Sequence, residues 1–309
     1  MRNEPIIGQA PGKIILFGEH AVVYGQPAVG LALTKKARAT LRPGRGEVVM
    51  RLDEGIEVTA STRAATPYDL VSAVLGPDLE RLDVELALEF PPMSGFGSSA
   101  ALAVALIRAQ DQLHGVPPRT FVAAFERALG VETVAHAKPS GVDPAICLKD
   151  GLVRFVRAGH RPQVSRMKMK NPAHLVVASA GGHGGTRESV TRLAEMRIST
   201  PKLVEQAMQT LGETARVGGQ ALTSGDLETA GLAMDLANGV LSGFGLVAPG
   251  VAQGLAICRG AGALGAKMSG AGGRGGAFCA LFDGVRRARR GVNLLNEAGY
   301  LAWIERVND

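Results

Sequence analysis

Aromatic residues are scarce. Phe, Trp and Tyr make up 4% of the 309 residues, with one tryptophan. The basic clusters at 35–45, 154–170 and 286–290 hold one aromatic ring between them, Phe155. They read as solvated faces, with RNA binding the lesser reading, so no nucleic-acid partner is expected. Cysteine is rarer still: Cys147, Cys258 and Cys279 stand in apolar surroundings with no CxxC spacing. Buried free thiols of a reducing compartment are expected. No apolar run reaches the roughly 20 residues that span a bilayer. Met1-Arg-Asn-Glu-Pro is no signal peptide. These absences point to a cytoplasmic protein that does not engage a membrane.

What is present is a chain with 46% hydrophobic residues and 41 glycines, long enough to split into two domains. High apolar content with many glycines implies tight turns and small-residue packing, not disorder. The basic, proline-containing stretch 158–171 reads as the junction, giving domains 1–170 and 171–309. The net charge of +6 suits small anionic substrates.

The most informative stretch is Pro91-Pro-Met-Ser-Gly95-Phe-Gly97-Ser98-Ser99-Ala-Ala101, followed by an alanine-rich helical run to about His114. A glycine turn that feeds a helix gathers backbone N–H groups and the positive end of a helix dipole, which suits phosphate. The alternative is an ordinary turn with Ser98 or Ser99 as the N-cap.

Upstream, Lys13-Ile-Ile-Leu-Phe-Gly-Glu19-His20 places a cation at the start of a short strand over 14–17, then a polar pair in a tight turn. Strands are expected at 48–52, 56–61 and 82–88, and a short helix at 67–75. Beyond the glycine turn, Thr120 caps a helix over 120–129 that breaks at Gly130. A short run 131–136 then carries Glu132 towards Pro139-Ser-Gly-Val-Asp143-Pro. Glu132 and His136 have i,i+4 spacing, but no third ligand of that type lies near, which argues against zinc. Asp143 alone would read as a turn-capping residue.

Further on, a strand over 151–157 and another over 175–179 frame the junction; the latter runs into Ala180-Gly-Gly-His-Gly-Gly-Thr186, where a helix begins. Long helices are expected over 201–223 and 226–241, a helix over 250–260 and a strand over 277–282. A basic helix and a strand-like tail fill 285–307. Gly260-Ala-Gly-Ala-Leu-Gly265 and Gly270-Ala-Gly-Gly-Arg-Gly275 both fit GxGxxG, but they follow a helix and enter a strand, the reverse of a dinucleotide site. The approach to Lys267 is no P-loop either, since Ala266 is extra and Met268 stands where Ser or Thr is required.

Taken together, residues 10–25, 91–101 and 267–276 resemble, in order, the three motifs of the GHMP kinases, the galacto-, homoserine, mevalonate and phosphomevalonate kinases. The first motif and His136-Ala-Lys-Pro-Ser-Gly-Val-Asp143 are most similar to the members acting on mevalonate, as is Asn238-Gly-Val-Leu241. The resemblance implies an α+β protein with a two-domain GHMP kinase fold: an N-terminal domain like domain 2 of ribosomal protein S5 and a C-terminal ferredoxin-like domain. ATP and mevalonate would meet in the cleft between them.

It further implies that Pro91, Gly95, Phe96, Gly97, Ser98, Ser99, Ala100 and Ala101 cradle the triphosphate, with Gly270, Ala271, Gly272 and Gly273 closing over it. Ser99 and Glu132 would hold Mg²⁺. Asp143 would face the substrate hydroxyl with Lys13 beside it, and Glu19, His20 and Thr186 would line the substrate side. A homodimer is common among such relatives. The implied activity is ATP-dependent phosphorylation of the primary hydroxyl of mevalonate. Phosphomevalonate, another hydroxy acid or a sugar are the alternative substrates. A non-catalytic nucleotide- or nucleic-acid-binding regulator would be expected to have lost Lys13, Glu132 or Asp143, and all three are present. Departures from the family pattern are Ser94, Phe96, Ala137, Pro144 and Arg274, the last replacing a glycine of the third motif.

Overall fold

Two long strands organise the molecule, a computed structural model that describes residues 4–52, 57–59, 66–135, 139–157, 161–181 and 186–307. β1 (Ile6–Phe17) pairs with β2 (Ala28–Pro43), and both strands pass from one compact unit into another. The first unit comprises Met1–Lys13, Ala32–Pro92 and Phe96–Asp150; the second comprises Ile14–Leu31, Met93–Gly95 and Gly151–Asp309.

In the first unit, β2 is followed by β3 (Val48–Leu52), β4 (Glu57–Thr59), helix α1 (Thr66–Leu75) and β5 (Leu82–Leu88). β3 lies parallel to β5 with Val48 opposite Val84, and β5 lies antiparallel to β2 with Leu88 opposite Ala37. Along β5, Leu82, Val84, Leu86 and Leu88 are buried in strict alternation, so one face meets the core. α2 (Ser98–Leu113), α3 (Phe121–Ala135) and α4 (Val142–Lys149) complete this unit. Alanines fill α2 because β1 runs against it: a Cβ on Gly8 would stand 2.0 Å from the Ala105 carbonyl oxygen. Only small side chains permit that approach.

The second unit holds β6 (Leu152–Val156) and β7 (Gln163–Met167), with β6 pairing antiparallel to residues 28–31 of β2. Then come β8 (Ala173–Ser179), α5 (Thr186–Ser199), α6 (Pro201–Ser224), α7 (Leu227–Gly243) and α8 (Pro249–Gly260). β9 (Gly265–Met268), β10 (Ala277–Phe282), α9 (Val285–Glu297) and β11 (Leu301–Val307) follow. The four-stranded sheet has the order β11-β8-β10-β9 and is antiparallel throughout. Fourth, first, third, second is the strand order of a ferredoxin-like β-α-β-β-α-β sheet. Phe278 and Phe282 of β10 pack with Leu211, Leu241 and Leu255 of the helices into its core. β9 is an edge strand, and α7 satisfies it: Ala266 N–H donates to Asp235 Oδ1 at 2.9 Å and Met268 N–H to Asn238 Oδ1 at 3.0 Å. The likeness seen around Asn238 is thus a structural one.

Several expectations need correction. β1 is twelve residues long, so Lys13 sits well inside it and not at its start; Pro11 is tolerated because, among the described strands, β1 pairs with β2 alone. β2 was hidden under a basic cluster, since Lys36, Arg38 and Arg42 face outward while Ala37, Ala39 and Leu41 are buried. The stretch 158–171, read from sequence as the domain junction, holds strand β7. α3 continues through Gly130 without a break. An isolated helical glycine costs about 1 kcal/mol relative to alanine, and here α1, α2 and α4 pack against the helix. Thr120 caps it as expected, Oγ1 accepting from Ala123 N–H at 3.3 Å. His136, Ala137 and Lys138 lie outside the described residues.

Candidate functional site

The first constellation grows from four places in the first unit. β1 delivers Lys13, the helix α2 opening delivers Ser99, the last turn of α3 delivers Glu132, and the first turn of α4 delivers Asp143. Lys13 Nζ lies 3.0 Å from Asp143 Oδ2; the lysine side chain is 4% exposed and the aspartate 30%. The Lys13 backbone N–H donates to the Phe96 carbonyl at 2.9 Å, tying β1 to the glycine loop. Gly97 has φ 72°, and a Cβ there would lie 2.7 Å from Lys13 Cγ and 2.8 Å from Cε. The loop therefore lies directly on the lysine stem, and only glycine allows both the backbone conformation and the contact.

Gly97 itself is the N-cap of α2, and no side chain caps the helix. The expected Ser98 or Ser99 cap is corrected: both serines lie inside the first turn, where N–H groups have no intrahelical acceptor. Phe96 turns inward against Phe90 at a centroid distance of 6.2 Å, edge to face. Asp143 is not a turn-capping residue. It follows the N-cap Gly141 in α4, and Pro144 is accommodated because the first helical turn needs no N–H donor there.

Glu132 is buried, 2% exposed. Burial first, and then the nearby Asp143 carboxylate, push its carboxyl up to about 7, against the pull of a Ser99 hydrogen bond and of Lys13. Its Oε1 has no hydrogen-bond partner among the described residues. Because the folded value exceeds the unfolded one, the folded chain keeps a proton that the unfolded chain gives up. Stability of the ligand-free protein is thus full below pH 4.5 and falls as pH rises towards about 7. The penalty is about 1–3 kcal/mol. Glu132→Gln is expected to raise the melting temperature of the ligand-free protein by several degrees near pH 8 and hardly at all near pH 5. Equal shifts at both values in thermal melts would contradict this. One turn beyond Asp143, burial drives the Cys147 thiol far above its ordinary value, so it stays protonated.

A second constellation forms within the second unit. Glu19 and His20 follow β1, and His20 has the left-handed φ of 62°. Its Nε2 is 3.1 Å from the Ala271 carbonyl oxygen. Burial, with a further push from Lys267, lowers the imidazole to about 4. It is neutral at pH 7: Nε2–H donates to Ala271, and Nδ1 is the acceptor. Ser269 Oγ accepts from Ile15 N–H at 2.8 Å, binding the third motif to the first. Gly272 lies against Leu246, and Gly273 N–H donates to the Leu246 carbonyl at 3.0 Å. Arg274 forms a two-point pair with exposed Glu188 of α5, at 2.8 and 3.2 Å. Thr186 opens α5 as expected, but its side chain and residues 182–185 lie outside what is described.

Sequence reading missed Lys267. It was passed over while its glycine neighbours were tested as a P-loop, yet it is fully buried and paired with Glu19, 248 positions away. Its signal was a lysine flanked by apolar residues in a strand. Among the described residues no cluster of three or more His, Cys, Asp or Glu is placed to hold a metal. No described helix is long and apolar enough to cross a membrane.

The motifs, the Lys13–Asp143 pair and the ferredoxin-like sheet define a small-molecule phosphotransferase class, and comparison with known proteins agrees. The model of the GHMP kinase N-terminal domain matches residues 63–151, and that of the C-terminal domain matches residues 220–300. The chain belongs to the GHMP kinases, which use ATP as phosphoryl donor. It is similar to the mevalonate kinase of Aeropyrum pernix, 32% identical over 307 residues, covering 95% of this chain and 93% of that one. The mevalonate kinase of Methanothermobacter thermautotrophicus is also 32% identical, over 86% and 87% of the two chains. Among solved structures, L. major mevalonate kinase in complex with R-mevalonate matches with a TM-score of 0.83 at 25% identity, over 99% and 96% of the chains.

Proposed function

We propose that this protein transfers the γ-phosphoryl group of ATP to the primary hydroxyl of mevalonate, giving 5-phosphomevalonate for isoprenoid precursor synthesis. The observation that carries the chemistry is the Lys13–Asp143 pair under the glycine loop. Phosphoryl transfer needs positioning and charge neutralisation more than covalent help. Asp143 accepts a hydrogen bond from the hydroxyl and orients it, and takes its proton as the oxygen attacks. Lys13 pairs with Asp143 and adds positive charge where the alkoxide and the equatorial phosphate oxygens develop. Residues 95–101 receive the phosphates on backbone N–H groups at the α2 N-terminus, and 270–273 cover them. Glu19, His20 and Thr186 hold the rest of the hydroxy acid. The work is thus divided between an N-terminal 1–170 and a C-terminal 171–309.

Ser99 and Glu132 fit Mg²⁺, because Glu132 brings a buried carboxylate oxygen without a partner among the described residues beside a hydroxyl. When bound, the ion neutralises phosphate charge, and few protein oxygens suffice for it. A cytoplasmic location accords with three buried unpaired thiols and no described membrane-crossing helix. A homodimer without nucleic-acid partners completes the reading, on the family resemblance and the lack of a nucleic-acid motif.

The test is ADP release with mevalonate, phosphomevalonate, homoserine and galactose as acceptors. Mevalonate is expected to lead in kcat/KM by about a hundredfold or more. A faster rate with another alcohol would reassign the substrate within the family.

A further inference from the structure

We propose that His20 is a positioning residue for the reaction: held in a strained turn, it fastens the middle of the third-motif loop, residues 270–273, through the Ala271 carbonyl. The proposal rests on the reading above that this loop covers the nucleotide phosphates. The contacts it uses lie within the second unit. His20 stands at φ 62° and ψ −47°. The Ala21 N–H donates back across it to the Glu19 carbonyl at 2.7 Å, which closes a γ-turn of the rare, strained kind. Glycine would adopt that backbone freely, whereas histidine there costs energy and persists only where its surroundings fix it. Here Val22 N–H donates to the Gly18 carbonyl at 3.1 Å, and Ala21 and Val22 are buried. A side-chain-bearing residue kept in such a conformation points to a task for its side chain.

The task lies 251 positions away, where the Ala271 carbonyl oxygen is 3.1 Å from His20 Nε2. A carbonyl oxygen only accepts, so Nε2 carries the hydrogen. The ends of the loop are fastened separately. Ser269 N–H donates to the Ala277 carbonyl at 2.9 Å, and its Oγ accepts from Ile15 N–H at 2.8 Å. Gly273 N–H donates to the Leu246 carbonyl at 3.0 Å. Between these ends Gly270 and Gly272 take φ of 88° and 70° on either side of Ala271. The backbone there has the freedom of glycine on both flanks, and the bond from His20 removes it. A loop that covers phosphates binds them well only if its N–H groups are aimed beforehand. The imidazole supplies that aim as a neutral group, since burial and Lys267 both oppose its charged form.

Wild type, His20→Leu and His20→Gln are compared. Both variants carry a side chain on the same strained backbone, but only glutamine offers an N–H at about the reach of Nε2. The first readout is limited trypsin digestion of the ligand-free protein, followed by mass spectrometry. Arg274 adjoins the loop with its side chain 72% exposed, so cleavage after it reports loop opening; cleavage after exposed Arg290 in α9 reports general unfolding. In His20→Leu, cleavage after Arg274 is expected to quicken about tenfold relative to that after Arg290, and in His20→Gln to stay within about threefold of wild type. The second readout is the Kd for ATP by calorimetry, with no acceptor present. It is expected to rise about fivefold or more in His20→Leu and to recover to within about twofold in His20→Gln.

Unchanged cleavage after Arg274 in His20→Leu overturns the proposal, as does quickening that His20→Gln does not reverse. A histidine that only lines the acceptor side would give the first of these results, with a raised KM for the acceptor alone. Quickened cleavage with an unchanged Kd for ATP would mean that the loop does not meet the nucleotide; the phosphate reading of 270–273 then fails, and the role of His20 in the reaction with it. Should His20→Leu not fold, His20→Gly decides, because it takes the same backbone without strain, lacks the donor and carries the same expectations. Neither readout depends on which alcohol is phosphorylated.

Discussion

Asp143→Asn is expected to lower kcat by about 10²- to 10⁴-fold, the range for removing a general base. Asparagine keeps the shape of the side chain and an acceptor oxygen for Lys13, so the α4 opening and the melting temperature should change little. The KM for ATP should stay within about threefold, since the role proposed for Asp143 is on the acceptor hydroxyl. The loss should therefore fall on turnover. Single-turnover measurement of phosphomevalonate formation separates this from slow product release. A variant with wild-type turnover would remove Asp143 from the mechanism and leave its pairing with Lys13 as a structural ion pair.

Lys13→Met should cost about 10²- to 10³-fold in kcat, the usual effect of removing one preorganised electrostatic donor. Methionine fills most of the space of the lysine stem, which matters because Gly97 lies directly on that stem. The two losses should not add. Lys13 acts partly through Asp143, at 3.0 Å, so the double variant Lys13→Met/Asp143→Asn should be close to the weaker single variant. Additive losses would mean that the lysine works on the phosphates alone. A KM for ATP raised with kcat unchanged would place Lys13 in ground-state binding.

The parts of the site that could be read from sequence were those written as local motifs. The glycine loop, Lys13, Glu132 and Asp143 were each marked by a neighbour of special backbone chemistry, and the structure brings all four elements to one place. What could not be read depends on partners far along the chain. Nothing near residue 267 reports that its ammonium meets Glu19, and nothing near 132 reports that one carboxylate oxygen lacks a donor among the described residues. Elements were mistaken where composition and geometry disagree. β2 carries a basic cluster on a half-buried strand, and Gly130 sits in a helix that tertiary packing keeps intact. In both cases burial outweighed local propensity.

The contact of Gly97 with Lys13 also limits how this chain can change. A methyl group at position 97 would meet the lysine stem before it met anything else, and the φ of 72° would resist it as well. Building side chains into that loop would displace the cation paired with Asp143. Variation is better directed to positions such as Arg274, whose side chain is 72% exposed and leans on Glu188 at the surface.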